Sequence, residues 1–335
     1  MSEIENKKIV VTGGAGFLGS NVVKLLLSRK FSVVILDNFS NGKTFHLKSV
    51  ENNPDLKIIN GDITNNEDVK MAFKGCDTVI HLAVLCLRES IKNPKRVNEV
   101  IVSGTINCLE AAIENKVKLF LNCSSSEVYG SARYVPMDEK HPLYPETPYA
   151  AAKAAQDMYV RSYGQTYGIP WVTIRPFNMY GPNSHWEGHR GELIPKMIVR
   201  AMNKEPLVIF GEGDQTRDFV YVEDAAQAVI EMCSNYSFLK ETVNYCSGVE
   251  TSIKRIALLI CDFFGLDTEK FIKNESERPG DVRRHLGSNK KFGELFGYTT
   301  SVNIEDGIRR TCEWFQSLPY TPEELLSRET LKNWK

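Results

Sequence analysis

The stretch KKIVVTGGAGFLGSNVVKLLLS constrains the fold more than any other part of the 335-residue chain. An apolar run rich in Val and Ile passes into glycines spaced GxxGxxG (Gly13, Gly16 and Gly19) and then into a helical pattern. Glycines at a strand-to-helix turn let the backbone bend tightly and approach a pyrophosphate. The phosphate charge is then held by N–H groups that have no partner inside the helix. Phe17 and Leu18 belong to the same turn. The motif gains strength from Asp37, which ends the next apolar run 18 residues after Gly19. A carboxylate at that place accepts hydrogen bonds from both ribose hydroxyls and repels a 2′-phosphate, so NAD is expected over NADP.

Five further apolar runs follow: SVVILDN, LKIINGDI, DTVIHLA, VKLFLNCSS and WVTIRPF. Apolar almost throughout and separated by helical patterns, they read as strands buried on both faces of a parallel, doubly wound sheet. Asp62 and Ile63 in NGDI, with Leu82 and Ala83 in HLA, end two of these strands and are candidates for the cofactor wall. The expected architecture is α/β: a Rossmann-type sheet domain over residues 1–176 and a smaller substrate-binding lobe, mainly 177–335, some of which returns to the sheet. The closing stretch PYTPEELLSRETLKNWK reads as a surface helix.

Forty-one Lys and Arg against 42 Asp and Glu give a formal charge of −1, which offers no general attraction to nucleic acid or anionic lipid. The eight cysteines show no metal-ligand spacing and read as buried thiols in a reducing compartment. The start of the chain lacks the pattern of a signal peptide, and no stretch approaches a membrane span. A cytoplasmic protein is expected.

Two stretches carry chemistry. PYAAAKAA places Tyr149 and Lys153 four residues apart on one helical face. A nearby ammonium favours the phenolate and so makes Tyr149 a base for a hydroxyl proton. SSSEVYG follows the fifth strand. If extended, it points Ser125 and Glu127 to one side and Ser126 to the other.

Together TGGAGFLGS, Asp37, Asp62, HLA, SSSEVYG, PYAAAK, RPFNMYGP, GDQTRDFVYVEDAA and RPGDVRR resemble the extended short-chain dehydrogenase/reductases, specifically the nucleotide-sugar epimerases and dehydratases. The resemblance covers nearly the whole chain. It implies a tightly held NAD that takes hydride from sugar C4 and later returns it. It also implies that Tyr149 is the base, that Lys153 binds the nicotinamide ribose and tunes Tyr149, and that Ser125 bonds the C4 oxygen. Asn178 is similar to a residue contacting the substrate diphosphate, and Arg217 and Arg278 match its basic clamps. A homodimer through helices near residues 95–115 and 149–167 is implied as well.

Within that group Glu127 separates the reactions. Once C4 is a ketone, a carboxylate near C5 can remove the acidified C5 proton and let the C6 hydroxyl leave as water, whereas a 4-epimerase needs no such base. A nucleotide-hexose 4,6-dehydratase is therefore expected, with Ser126 as a donor near C6. Ser126 stands where the dTDP-glucose dehydratases carry Asp. The alternatives are a 4-epimerase, a UDP-glucuronate decarboxylase using Arg190 or Arg283 as the cation for its C6 carboxylate, and a non-catalytic nucleotide-binding regulator.

Overall fold

The six apolar runs become strands β1 (Lys8–Thr12), β2 (Ser32–Asp37), β3 (Leu56–Asn60), β4 (Thr78–His81), β5 (Leu119–Cys123) and β6 (Trp171–Pro176) of one parallel sheet. The structure is a computed structural model and describes residues 8–234, 238–277 and 282–332. Beyond β6 come β7 (Asn178–Tyr180), β8 (Leu207–Phe210), β9 (Thr216–Tyr221) and β10 (Glu241–Tyr245). β10 returns to pair with β6, so the seven-stranded order is β10-β6-β5-β4-β1-β2-β3. β1, β4 and β5 are buried on both faces, as near-continuous apolar runs require. β3 differs: as the edge strand it has a single neighbour, and Ile58 is exposed.

The crossovers are helical. They comprise α1 (Phe17–Ser28), α2 (Asn66–Phe73), α3 (Leu87–Lys92), α4 (Pro94–Asn98), α5 (Gly104–Glu114) and α6 (Pro148–Tyr167). α6 starts where the Thr147 side chain accepts from Ala150 N and Pro148 occupies the first turn, and it stops at Gly168 in the left-handed region (φ 75°). This helix carries Tyr149 and Lys153. Its middle is fixed to the sheet by a charge: Asp157 accepts from Arg175 Nε and Nη2, both at 2.9 Å, and the two residues are 4% and 5% exposed. Arg175 Nη1 also donates to the Tyr129 hydroxyl (3.0 Å), which donates to Asn244 Oδ1 on β10 (2.6 Å), and Asn122 Nδ2 on β5 donates to Asp157 Oδ1 (3.1 Å). Helix, two central strands and the returning strand are thus tied at one buried point.

The second lobe has its own apolar core. Helices α7 (Leu193–Met202), α8 (Val222–Ser234), α9 (Ile253–Phe264), α10 (Thr268–Phe271), α11 (Lys290–Phe296) and α12 (Ile304–Gln316) complete the chain with strands β11 (Glu250–Ser252), β12 (Ile272–Glu275) and β13 (Arg284–His285). Ile194, Met197 and Ile198 of α7 pack with Ile256 and Ile260 of α9 and Ile308 and Phe315 of α12, whereas α8 packs against α1 on the large sheet. The tail forms a short, largely exposed helix that is anchored to this core. This α13 (Pro322–Leu326) buries Leu325 in the core, and Glu329 beyond it pairs with Lys196 and Arg200 of α7. Two carboxylate contacts from α7 cations draw the tail inward.

If the buried pair positions α6, removing one partner is costly. Arg175→Met is expected to lower stability by about 3–5 kcal/mol, because Asp157 is left as an uncompensated buried charge. Adding Asp157→Leu is expected to recover most of the loss. Urea denaturation of the two variants decides it; a double variant as unstable as the single one would contradict this account.

Candidate active site

The carboxyl ends of β1, β2, β4 and β5 and the inner face of the second lobe enclose a cavity of about 1150 Å³. At one end lies the glycine turn. Gly13 has φ 69°, and a Cβ there would sit 2.8 Å from the Ala83 backbone. A Cβ on Gly19 would sit 2.1 Å from the Gly13 carbonyl oxygen. The turn is therefore packed backbone to backbone, and the start of α1, whose N-cap Gly16 supplies no side-chain cap, leaves its first N–H groups open to an anion. Asp37 is buried, with Oδ2 accepting from Ala15 N (2.9 Å) and Oδ1 from Phe39 N (2.8 Å). Burial raises its pKa while those two N–H groups lower it. Burial raises the Asp62 pKa, but the hydrogen bonds it accepts from Thr64, Asn38 and Arg96 together outweigh this and bring it down. Phe17, Leu18, Ile63, Leu82 and Ala83 complete this end. A tight turn, an open helix start and a carboxylate beside it fit a dinucleotide.

At the other end the catalytic candidates meet. Ser125, Glu127, Tyr149 and Lys153 all line the cavity, as do Asn178 on β7 and Arg217 on β9. After β5 the chain does not continue extended. Ser125 accepts from Glu127 N (3.2 Å) and caps a 3₁₀ turn over Ser126–Tyr129. Such local serine bonds compete with strand geometry. Ser125 also hydrogen-bonds the Tyr149 phenol. Ser126, in contrast, is 3% exposed, lies outside the cavity lining, and has its backbone bonded by the His285 ring. Ser126 is thus buried beside the cavity and is not among the residues that line it.

The Tyr149 pKa also departs from expectation. Burial pushes the phenol up, and the Ser125 hydrogen bond only partly offsets this. Lys153 Nζ is held by Cys123 O (2.7 Å) and Gln156 Oε1 (2.9 Å), and burial lowers its own pKa. The ammonium thus serves the strand end and Gln156 before it serves the phenol. Glu127 is half-buried at the cavity edge. Burial raises its pKa, the Arg217 and Arg88 charges lower it, and Glu146 raises it. Arg217 also donates to the Thr216 and Val282 carbonyls. Asn178 Nδ2 donates to Asp218 O (3.1 Å). Arg278 lies outside the described residues. Of the two cations named for a uronate, Arg283 is exposed beside Asp214 and Glu277, and Arg190 lines the cavity with Nη1 on Ser40 O (2.7 Å).

Thr12, Thr105 and Gln156, missed in the sequence, connect the two ends through His81 of the HLA run. Thr12 Oγ1 lies 2.8 Å from His81 Nδ1, His81 Nε2 lies 2.8 Å from Thr105 Oγ1, and Gln156 Nε2 donates to Thr105 Oγ1 (3.0 Å). Thr105 gives its own proton to Ile101 O, so His81 must donate from Nε2 and accept from Thr12 at Nδ1. Burial, with Lys153 nearby, drops His81 to about 3, so it stays neutral. His81 is a strut between β1 and α5, not part of the cofactor wall. A His at a buried strand end, flanked by residues able to bond both nitrogens, was the available signal.

This architecture and site define an NAD-binding α/β enzyme of the extended short-chain dehydrogenase/reductase class. The chain belongs to the NAD dependent epimerase/dehydratase family, whose model matches residues 9–246. It is 32% identical over 320 residues to the UDP-glucose 4-epimerase of Mycolicibacterium smegmatis, covering 92% of this chain and 99% of the relative. It is 31% identical over 340 residues to the dTDP-D-glucose 4,6-dehydratase of Mus musculus, covering 98% and 91%. Among solved structures it resembles the UDP-N-acetylglucosamine 4-epimerase of Methanobrevibacter ruminantium M1 in complex with UDP-N-acetylmuramic acid. That match has a TM-score of 0.87 and 32% identity, and covers 93% of this chain and 99% of the other. The chain is accordingly an NAD-dependent enzyme of nucleotide-sugar chemistry.

Asp37 gives a direct check on the cofactor end. Hydrogen bonds to a charged group contribute about 1.5–3 kcal/mol, so Asp37→Asn is expected to weaken NAD binding roughly ten- to hundredfold and to narrow the preference over NADP. Titration calorimetry with both cofactors measures this; an unchanged NAD-to-NADP ratio would remove Asp37 from the ribose site.

Proposed function

We propose that the chain is an NAD-dependent nucleotide-hexose 4,6-dehydratase. The observation that carries the reading is the place of Glu127: its carboxyl stands on the wall of the same cavity as Ser125 and Tyr149, with Arg88 and Arg217 within charge range. Tyr149 is the base for the C4 hydroxyl, with the Ser125 hydroxyl bonded to it and converging on the same point. Lys153 presents a buried ammonium, two of whose donors are spent on Cys123 and Gln156. When bound, NAD supplies the hydride acceptor for C4 and, in its oxidised state, a positive charge that favours the phenolate. Glu127 then removes the C5 proton acidified by the C4 ketone and the C6 hydroxyl departs as water; the hydride taken from C4 would be returned at C6 and a proton at C5, so that the net change is loss of water alone. Asn178 and Arg217 are proposed to hold the diphosphate.

Incubation with a panel of nucleotide hexoses, followed by mass spectrometry, tests the reaction. Loss of water is expected. An isobaric product would instead identify a 4-epimerase, and loss of carbon dioxide from UDP-glucuronate a decarboxylase.

Two finer outcomes follow from Glu127. In Glu127→Gln, exchange of the C5 proton with deuterated solvent should fall by about 10²-fold or more, while absorbance at the reduced-nicotinamide band still rises at C4 oxidation. In the wild type the base acts only when ionised, and burial raises its folded pKa. C5 exchange should therefore be lost on acidification, and at a higher pH than an unburied carboxylate would give. Exchange that survives in the Gln variant would take the C5 base away from Glu127.

A further inference from the structure

Elimination asks for a base and an acid, because hydroxide is a poor leaving group and needs a proton as the C6–O bond breaks. Glu127 supplies the base, and Ser126 is buried and does not line the cavity. Of the other carboxyls lining the cavity, Glu89 is paired with His189 and Glu146 accepts from Ser131, whereas Glu192 has no role so far. Glu192 is the N-cap residue of α7, reached by the loop that folds back from β7. Its backbone N–H donates to His185 O (2.8 Å), while its side chain makes no capping bond to the helix and lines the cavity. The charge that reaches Glu192 is the Arg88 guanidinium of α3, and Arg88 also reaches Glu127. The Arg88 charge therefore reaches two carboxyls that line the cavity, one on the turn after β5 and one at the start of α7.

We propose that Glu192 is the acid that protonates the C6 hydroxyl as it leaves; the assignment rests on the dehydratase reading above. The surroundings divide the labour. Glu127 has two cations to favour its ionised form, Arg88 and Arg217, with Glu146 opposing. Glu192 has Arg88 alone against burial, and its pKa is pushed up to about 7. The other charged groups near it are engaged: Lys196, one turn along α7, with Glu329 and Leu331 O; Arg190, on its own loop, with Ser40 O; and His185 is held neutral by burial. In the step itself, Glu127 takes the C5 proton and the C–H electron pair becomes the C5–C6 π bond. The C6–O bond breaks toward oxygen, and the Glu192 proton joins that oxygen. One water leaves, Glu127 ends neutral, Glu192 ends as carboxylate, and nothing is oxidised or reduced.

The test compares leaving groups. The substrates are the nucleotide hexose from which the wild type removes water and its 6-deoxy-6-fluoro analogue, whose fluoride departs without protonation. In Glu192→Gln, water loss is expected to fall about 10²-fold or more, while fluoride release and C5 deuterium exchange stay near wild type. In the wild type, water loss should decline as pH rises through about 7, where the acid gives up its proton, and fluoride release should not. This comparison decides the matter even if the variant folds poorly. Equal losses with both leaving groups, or unchanged water loss, would overturn the role of Glu192 alone. A wild type that dehydrates no nucleotide hexose would overturn the dehydratase reading and this assignment with it.

Discussion

The buried contact between Asp157 and Arg175 is the constraint on which the site's geometry depends. A charge pair this deep is expensive to desolvate, and its Coulombic gain repays that cost only with good geometry and every remaining donor satisfied. Here Arg175 spends its other donor on Tyr129, Tyr129 passes its proton to Asn244, and Asn122 covers the second Asp157 oxygen. The contact is thus directional, unlike apolar packing, and it fixes the rotation and height of α6 against β5 and β6. One turn up that helix sits Lys153, and one turn further Tyr149. The Tyr129 in this network is also the last residue of the turn carrying Glu127. The C4 and C5 candidates are therefore anchored by one cluster.

A second chain of hydrogen bonds runs from the glycine turn to the same helix. Thr12 at the end of β1 accepts from Leu82 N and Ala83 N, and its proton orients His81. Through Thr105 and Gln156 that order reaches the Lys153 ammonium. Every bond has a determined direction, because Thr105 can give only one proton. Networks satisfied throughout rigidify their surroundings, whereas a missing partner leaves an unpaired buried group. The cofactor turn and the lysine therefore share one hydrogen-bonded scaffold.

Much of this was legible in the residues themselves. The strand-glycine-helix unit with Asp37 and the Tyr149–Lys153 spacing depend on local geometry, which sequence states directly. The SSSEVYG stretch was less transparent. Alternation along a strand placed Ser125 and Glu127 together, and both do line the cavity, but through a serine-capped 3₁₀ turn whose Ser126 does not. Burial of β3 was overread because an edge strand and a central one share the same apolar code. Glu192 went unassigned because its place depends on a loop held by distant partners, His189 on Glu89 and Arg190 on Ser40 O. Such contacts span about a hundred residues or more and leave no periodic trace.

The same charges bear on which substituent C6 carries. Arg88 lies within range of two carboxyls, and Arg217 has carbonyls and Glu127 to serve. A uronate would bring a third anion to this end, where each added negative charge raises the proton affinity of Glu127 and Glu192 together. Arg283 is out on the surface and Arg190 is committed toward the β2 end of the cavity, so neither offers a balancing cation beside Glu127. A hydroxymethyl group adds no charge and offers one oxygen to an acid and one adjacent C–H to a base. On the dehydratase proposal, that asymmetry is what two carboxyls of unequal environment would serve.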